Sequence, residues 1–383
     1  MDFSLTEEQR LLAQNLEELL RREVPESAQA ELDEKHAFPK EAWQMLADNG
    51  ILGLGIPEEY GGTPADIQTM TLACEILGKQ AFSLGIIYSL GIITIRDILQ
   101  FASEELKTQV LGGFVRGDAP VALGITEPQA GSDAAALKTR ADFDGEEVVF
   151  NGQKLFTTLA GQARYILLMT RDQKIENPYD GISMWLVPTD SPGISMHALD
   201  KVGWRTIPSY EVYLNDVRVP KKNLVGEINC GWQQLMANFE IERLGLSAAS
   251  LGAAEAAFED SLAYANQRQQ FGTPIGSFQA VQHLITDMAV KIENMRNFVF
   301  KIAWMMDQNL PVRTEHAMCK LYVAQASFEV CDAAMQVFGG VGYTMDHRIQ
   351  RLWRDVRLMR IGGGTDEIMY NIAGPQLLKR ARR

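Results

Sequence analysis

Cysteine is scarce in this 383-residue chain: Cys74, Cys230, Cys319 and Cys331 lie far apart and form no CxxC pair. That excludes a zinc cluster of the usual spacing and suits reduced thiols. The five histidines, His36, His197, His283, His316 and His347, are equally dispersed, so no metal site is expected. No GxGxxG opens a βαβ unit and no P-loop is present, which removes the common strand–loop–helix modes of nucleotide binding. Positive charge is in deficit, with 36 Lys and Arg against 49 Asp and Glu and a formal net charge of −13. That argues against a general nucleic-acid or anionic-membrane surface, while local basic clusters leave room for an anionic cofactor. The longest apolar run, roughly 81–95, is too short to cross a bilayer and reads as a core helix. The acidic start, Met1-Asp-Phe-Ser-Leu-Thr-Glu-Glu, has no secretory character. A cytoplasmic location without a membrane span is the expectation.

What is present is an ordinary globular composition, 46% hydrophobic and 22% charged, long enough for two or three domains. Residues 1–118 read as helical. Thr6-Glu-Glu-Gln9 has capping-box spacing, and further helices are expected at 40–49, 66–77, 84–101 and 104–114. From 119 to 231 short β-rich runs alternate with turns, at 121–125, 147–150, 154–158, 165–170, 182–187 and 210–214. Asp144-Gly145, Asn151-Gly152, Asp180-Gly181 and Asn215-Asp216 punctuate them, which predicts an antiparallel sheet or small barrel. Residues 232–383 return to helix, at about 232–268, 277–308, 312–338, 346–357 and 365–380. The fold class is α+β, with a β-barrel-like domain between an N-terminal all-α domain and a C-terminal four-helix bundle.

Glu242 stands out on the first of those long helices. Stepping from Leu235 through Phe239 to Leu246 and Ala249 gives an apolar stripe with one carboxylate set into it. A charge on a core-facing stripe is costly unless it is paired or its pKa is raised. A desolvated carboxylate can abstract a weakly acidic C–H proton, and a core glutamate satisfied by an arginine or amide carries the same pattern.

Several motifs follow in order: Ile125-Thr-Glu-Pro-Gln-Ala-Gly-Ser-Asp133, Asn151-Gly-Gln-Lys-Leu-Phe-Thr-Thr158, Arg268-Gln-Gln-Phe-Gly272, Gln336-Val-Phe-Gly-Gly-Val-Gly-Tyr343, Arg351-Leu-Trp-Arg-Asp355 and Ile361-Gly-Gly-Gly-Thr-Asp-Glu-Ile368. Each alone is a turn or helix-cap signal. Together they resemble the acyl-CoA dehydrogenase family over essentially the whole chain, nearest to a bacterial branch related to crotonobetainyl-CoA reductase.

The resemblance implies FAD bound without a Rossmann motif, and a homotetramer built as a dimer of dimers. Thr126 would hydrogen-bond the flavin, Ser132 would meet flavin phosphate or pantetheine, and Phe156 and Thr158 would lie against the isoalloxazine. Arg268 and Phe271, with Gln336 and Gly340, would hold the FAD pyrophosphate and adenosine across a subunit boundary. Thr365 and Glu367 would contact flavin or open the last helix. Arg243 would hold the CoA end, and Gly362 would leave room near C3. Many members carry the base in a Tyr-Glu-Gly-Thr segment. Here Gly362-Gly-Gly-Thr365 puts Gly363 at that place, and Glu242 matches the alternative base position on the Glu-Arg-Leu helix. The Gly363 N–H remains as an oxyanion donor. The implied activity is α,β-dehydrogenation of an acyl-CoA, or enoyl-CoA reduction in reverse, with an electron-transfer flavoprotein as partner. A flavin-dependent acyl-CoA oxidase and an inactive CoA-ester-binding member are the competing readings.

Overall fold

The computed structural model describes residues 4–172 and 176–380; Met1–Phe3, at the head of the acidic start, lie outside the described residues. Six helices come first: α1 Glu7–Glu23, α2 Glu26–Lys35, α3 Lys40–Asp48, α4 Ile67–Gln80, α5 Phe82–Phe101 and α6 Glu104–Val115. The capping box forms as the spacing predicts. Gln9 N donates to Thr6 Oγ1 at 3.2 Å and Thr6 N to Gln9 Oε1 at 3.1 Å. Asp66 and Ser103 cap α4 and α6 with the side-chain acceptor alone, accepting from Thr69 N at 2.7 Å and Leu106 N at 3.4 Å. The apolar run at 81–95 belongs to a 20-residue helix, α5, long and apolar enough to cross a bilayer. In the folded protein 78% of its most apolar window is buried against other helices.

The middle region is one seven-stranded sheet: β1 Val121–Gly124, β2 Arg140–Asp144, β3 Glu147–Thr158, β4 Tyr165–Arg171, β5 Ile182–Pro188, β6 Ile194–Ala198 and β7 Ser209–Pro220. It is mixed rather than antiparallel, because β1 runs parallel to β4. Two expected turns are also corrected. Asn151-Gly152 and Asn215-Asp216 are facing irregularities within one long β3–β7 pair. Asn151 Nδ2 donates to Asp216 Oδ1 at 3.0 Å, and Asp216 N donates back to Asn151 Oδ1 at 2.9 Å. Gly152 has φ +154°, and a Cβ there would stand 2.7 Å from the Thr139 backbone, so glycine bends the strand rather than ending it.

The C-terminal region holds α7 Gly231–Gln267, α8 Gln279–Asp307, α9 Arg313–Phe338, α10 Ile349–Val356 and α11 Asp366–Arg380. A two-residue hairpin, β8 Gln269–Gln270 with β9 Thr273–Pro274, links α7 to α8. Small residues let α7 dock on the N-terminal helices backbone to backbone. A Cβ on Gly252 would sit 2.1 Å from the Glu75 carbonyl, and one on Gly78 would sit 2.3 Å from that of Ala249. The helical layers therefore share one core, and α7 is the element that joins them.

Candidate active site

On α7 the stripe turns inward. Glu242 is 6% exposed, and its Oε2 has no hydrogen-bond partner among the described residues. Burial pushes its carboxyl up to about 7, against the opposing pull of Arg243 and Lys320. The core-glutamate reading required a satisfied carboxylate. This one is half-satisfied at best.

Arg243 is occupied elsewhere. Its Nε donates to the Gly363 carbonyl at 2.8 Å, and its guanidinium lies 4.6 Å from the Phe239 ring centroid. Lys320, from α9, donates to the next carbonyl, that of Gly364. Two cations thus grip consecutive carbonyls of the loop before α11. Burial lowers both, Lys320 to about 8. Gly363 has φ +64°, and a Cβ there would be 3.2 Å from Leu246 Cδ1, one helical turn from Glu242. Its N–H finds no acceptor among the described residues. A Cβ on the neighbouring Gly362 would meet only Leu358, whose carbonyl lies at an ordinary contact distance of 3.7 Å. Thr365 Oγ1 accepts from Ile368 N at 3.3 Å and caps α11, while Glu367 is exposed on that helix's first turn.

A second carboxyl escaped the sequence reading. Asp97 on α5 is fully buried; its Oδ1 accepts from Asn238 Nδ2 at 2.7 Å and its Oδ2 has no partner. Asn238 lies one turn before Glu242 on α7. Burial raises Asp97 to about 8, with the Glu242 charge adding to that push. Burial therefore favours the protonated form of both acids, and ionisation of Glu242 opposes that of Asp97.

The sheet supplies another group of the expected residues. Leu155 N donates to Thr126 O at 2.8 Å, which sets the 125–133 loop beside β3. Phe156, in a bulge with φ +56°, is 58% exposed. Thr158 follows two residues on, half-buried, and Ser132 is exposed in the loop. The anchor of that loop is a pair the sequence did not single out. Glu127 accepts from fully buried Lys154 Nζ at 2.8 Å, from Thr139 N at 2.8 Å and from Lys138 N at 2.7 Å. Lys154 also donates to Ile125 O at 3.1 Å.

Arg268, Phe271, Gln336 and Gly340 form a third group at the far end of the bundle, where Tyr264 stacks on Phe338 at 4.2 Å. Arg268 and Gln336 are exposed, Phe271 is 94% exposed, and nothing lies near Gly340. At 1.5 Å per residue, Glu242 and Arg268 are about 39 Å apart along α7. The third group does not share a compact site with Glu242 in one protomer.

Models of three domains match in sequence: "Acyl-CoA dehydrogenase, N-terminal domain" over residues 6–118, "middle domain" over 122–217 and "C-terminal domain" over 229–378. "Probable acyl-CoA dehydrogenase YdiO" of Escherichia coli K12 is 44% identical over 380 residues, covering 99% of each chain. Among solved structures, butyryl-CoA dehydrogenase from Megasphaera elsdenii superposes with a TM-score of 0.94 at 32% identity, covering 99% of this chain and 100% of that one. A protein described as an FAD-dependent dehydrogenase superposes at 0.91 with 30% identity, covering 98% and 99%. With its three domains matched in order and a buried glutamate set against a glycine loop, the chain belongs to the acyl-CoA dehydrogenase family, oxidoreductases acting on CH–CH groups.

Proposed function

We propose that the protein is an FAD-dependent acyl-CoA dehydrogenase whose base is Glu242. The carrying observation is the buried, unpartnered Glu242 Oε2, one turn from the residue that faces Gly363. The residues fit FAD. Phe156 offers an exposed ring face, Thr158 follows two residues on, the Thr126 carbonyl is tied to the adjoining Leu155 N, and the loop bearing Ser132 is held by the Glu127–Lys154 pair. When bound, FAD supplies the acceptor for the hydride that leaves C3 of the acyl group.

The chain's own contributions are acid–base and positional. Glu242 takes the C2 proton, and the C2–H electron pair forms the C2=C3 bond as hydride departs. The free Gly363 N–H donates to the thioester oxygen while negative charge builds there. Arg243 and Lys320, by holding the Gly363 and Gly364 carbonyls, keep that N–H aimed. Ser132, Arg243 and Gly362 border the substrate. Arg268, Phe271, Gln336 and Gly340 serve the cofactor of a neighbouring protomer, consistent with a homotetramer and with the roughly 39 Å of helix rise between Glu242 and Arg268. Electrons leave to an electron-transfer flavoprotein.

Anaerobic titration of the flavoprotein with a panel of acyl-CoA esters tests this. Bleaching of the flavin band by one ester class, lost in Glu242→Gln with FAD retained, is the expected result. Near-normal turnover by Glu242→Gln eliminates the assignment. Rapid aerobic reoxidation with peroxide release would make the enzyme an oxidase instead.

A further inference from the structure

Thr158 is joined to a half-buried lysine that neither the sequence motifs nor the mechanism uses. Lys201 lies in the loop between β6 and β7. Its Nζ donates to the Ile207 carbonyl at 2.5 Å and to Ser209 Oγ at 2.9 Å. Ser209, itself buried, has its Oγ 3.2 Å from Thr158 Oγ1. The loop is braced from the helical side. Asp355 of α10 accepts from Trp204 N at 2.6 Å, and the Asp355 carbonyl accepts from Trp204 Nε1 at 3.1 Å.

The chemistry of these groups gives the chain a direction. An ammonium has donors only. Lys201 therefore fills one of the two acceptor positions on Ser209 Oγ, which leaves the Ser209 hydroxyl proton available to Thr158 Oγ1, 3.2 Å away. With Ser209 donating, Thr158 keeps its own proton for a further acceptor. Within its own strand that proton reaches only the Phe156 carbonyl at 3.4 Å, a long contact that a nearer acceptor would displace. A hydroxyl that accepts from a charge-assisted chain is a stronger donor than an isolated one.

We propose that Lys201, acting through Ser209, is a positioning residue that fixes Thr158 as a hydrogen-bond donor toward a ring acceptor of oxidised FAD. The inference rests on the reading that Thr158 faces the flavin. No bond is made or broken; the relay orients three protons.

The test is a double-mutant cycle read by FAD affinity, with apoprotein titrated by FAD and followed by flavin fluorescence. Thr158→Val, Lys201→Met and Ser209→Ala are each expected to weaken FAD binding about fivefold to tenfold, the worth of one hydrogen bond. In the Thr158→Val background, Lys201→Met and Ser209→Ala are expected to cost nothing further, and Lys201→Arg alone to bind nearly as wild type. If Thr158→Val leaves affinity unchanged, the placement of Thr158 against flavin fails and the relay with it. If Thr158→Val weakens binding but Lys201→Met and Ser209→Ala are silent, or additive with it, the relay alone is overturned. Should Lys201→Met not fold, Ser209→Ala, which keeps the lysine, decides the same question.

Discussion

Arg243 reaches from the helix that carries Glu242 to the carbonyl of Gly363, 2.8 Å away, and lies over Phe239 on its own helix. One side chain therefore sets the distance between the proposed base and the proposed oxyanion donor. A lysine keeps the charge but lacks the planar fork and the stacking face. Arg243→Lys is expected to lower kcat/KM by about tenfold, the effect of a misplaced reacting group, with the base titrating where it does in wild type. Arg243→Gln removes a cation that holds Glu242 down, so its pH profile should move alkaline. Identical profiles for the two variants would count against the arrangement.

The pH dependence has a definite sign. Glu242 sits at about 7 in the folded protein, raised by burial from its ordinary range near 4.5. Dehydrogenation needs the carboxylate, so the rate should climb as pH rises through about 7. Stability runs the other way. The folded state keeps a proton that the unfolded chain has already lost, so this contribution is whole below about 4.5 and is lost as pH rises towards 7. Glu242→Gln should gain thermal stability over wild type between pH 5 and 8. Parallel melting curves across that range would refute the raised pKa.

Asp97 extends the argument to a residue without proposed chemistry. It is buried, raised to about 8, and half-satisfied. Asp97→Asn can still accept from Asn238 but never has to ionise. Its melting temperature relative to wild type should improve from pH 5 to pH 9. A constant offset would show that Asp97 ionises freely.

Much of the architecture could be read from local pattern, because capping and helix periodicity are local. Thr6 with Gln9 and the long helical stripes are examples. What escaped depends on contacts between distant residues. Asp97 and Asn238 meet across 141 positions, and Asp355 reaches Trp204 across 151. Helix α2 was missed because it buries little, Asp33 being its one fully buried residue. Strands β2, Arg-Ala-Asp-Phe-Asp, and β6, Ile-Ser-Met-His-Ala, do alternate apolar with polar residues, but each is five residues long and exposes most of its side chains, so the pattern is too short to stand out. Asn151-Gly152 spells a turn in sequence, and only its partner Asp216 makes it a bulge. Glu127 lay inside a recognised motif, yet nothing nearby announced that Lys154 would be buried against it.

That pair gives the largest expected stability effect. Glu127→Gln would leave the Lys154 ammonium fully buried without its carboxylate, at a cost of about 3–5 kcal/mol. Adding Lys154→Met should recover most of it. Urea midpoints of the two variants decide the matter, and a mild single variant would mean that water reaches Lys154.

Moving the base to the glycine loop is constrained by backbone geometry. At φ +64° a side chain on Gly363 is strained by about 1–2 kcal/mol and crowds Leu246. Gly363→Glu combined with Glu242→Gly is expected to recover only a small part of turnover. Full recovery would show that the loop relaxes to a conformation absent here.

The length of α7 has a genetic consequence. If the tip near Arg268 serves a neighbour's flavin while Glu242 serves its own, lesions at the two ends of one rod cripple different catalytic units. Subunits carrying Glu242→Gln, co-assembled with subunits carrying Arg268→Ala, would then rebuild some intact centres from two defective parents.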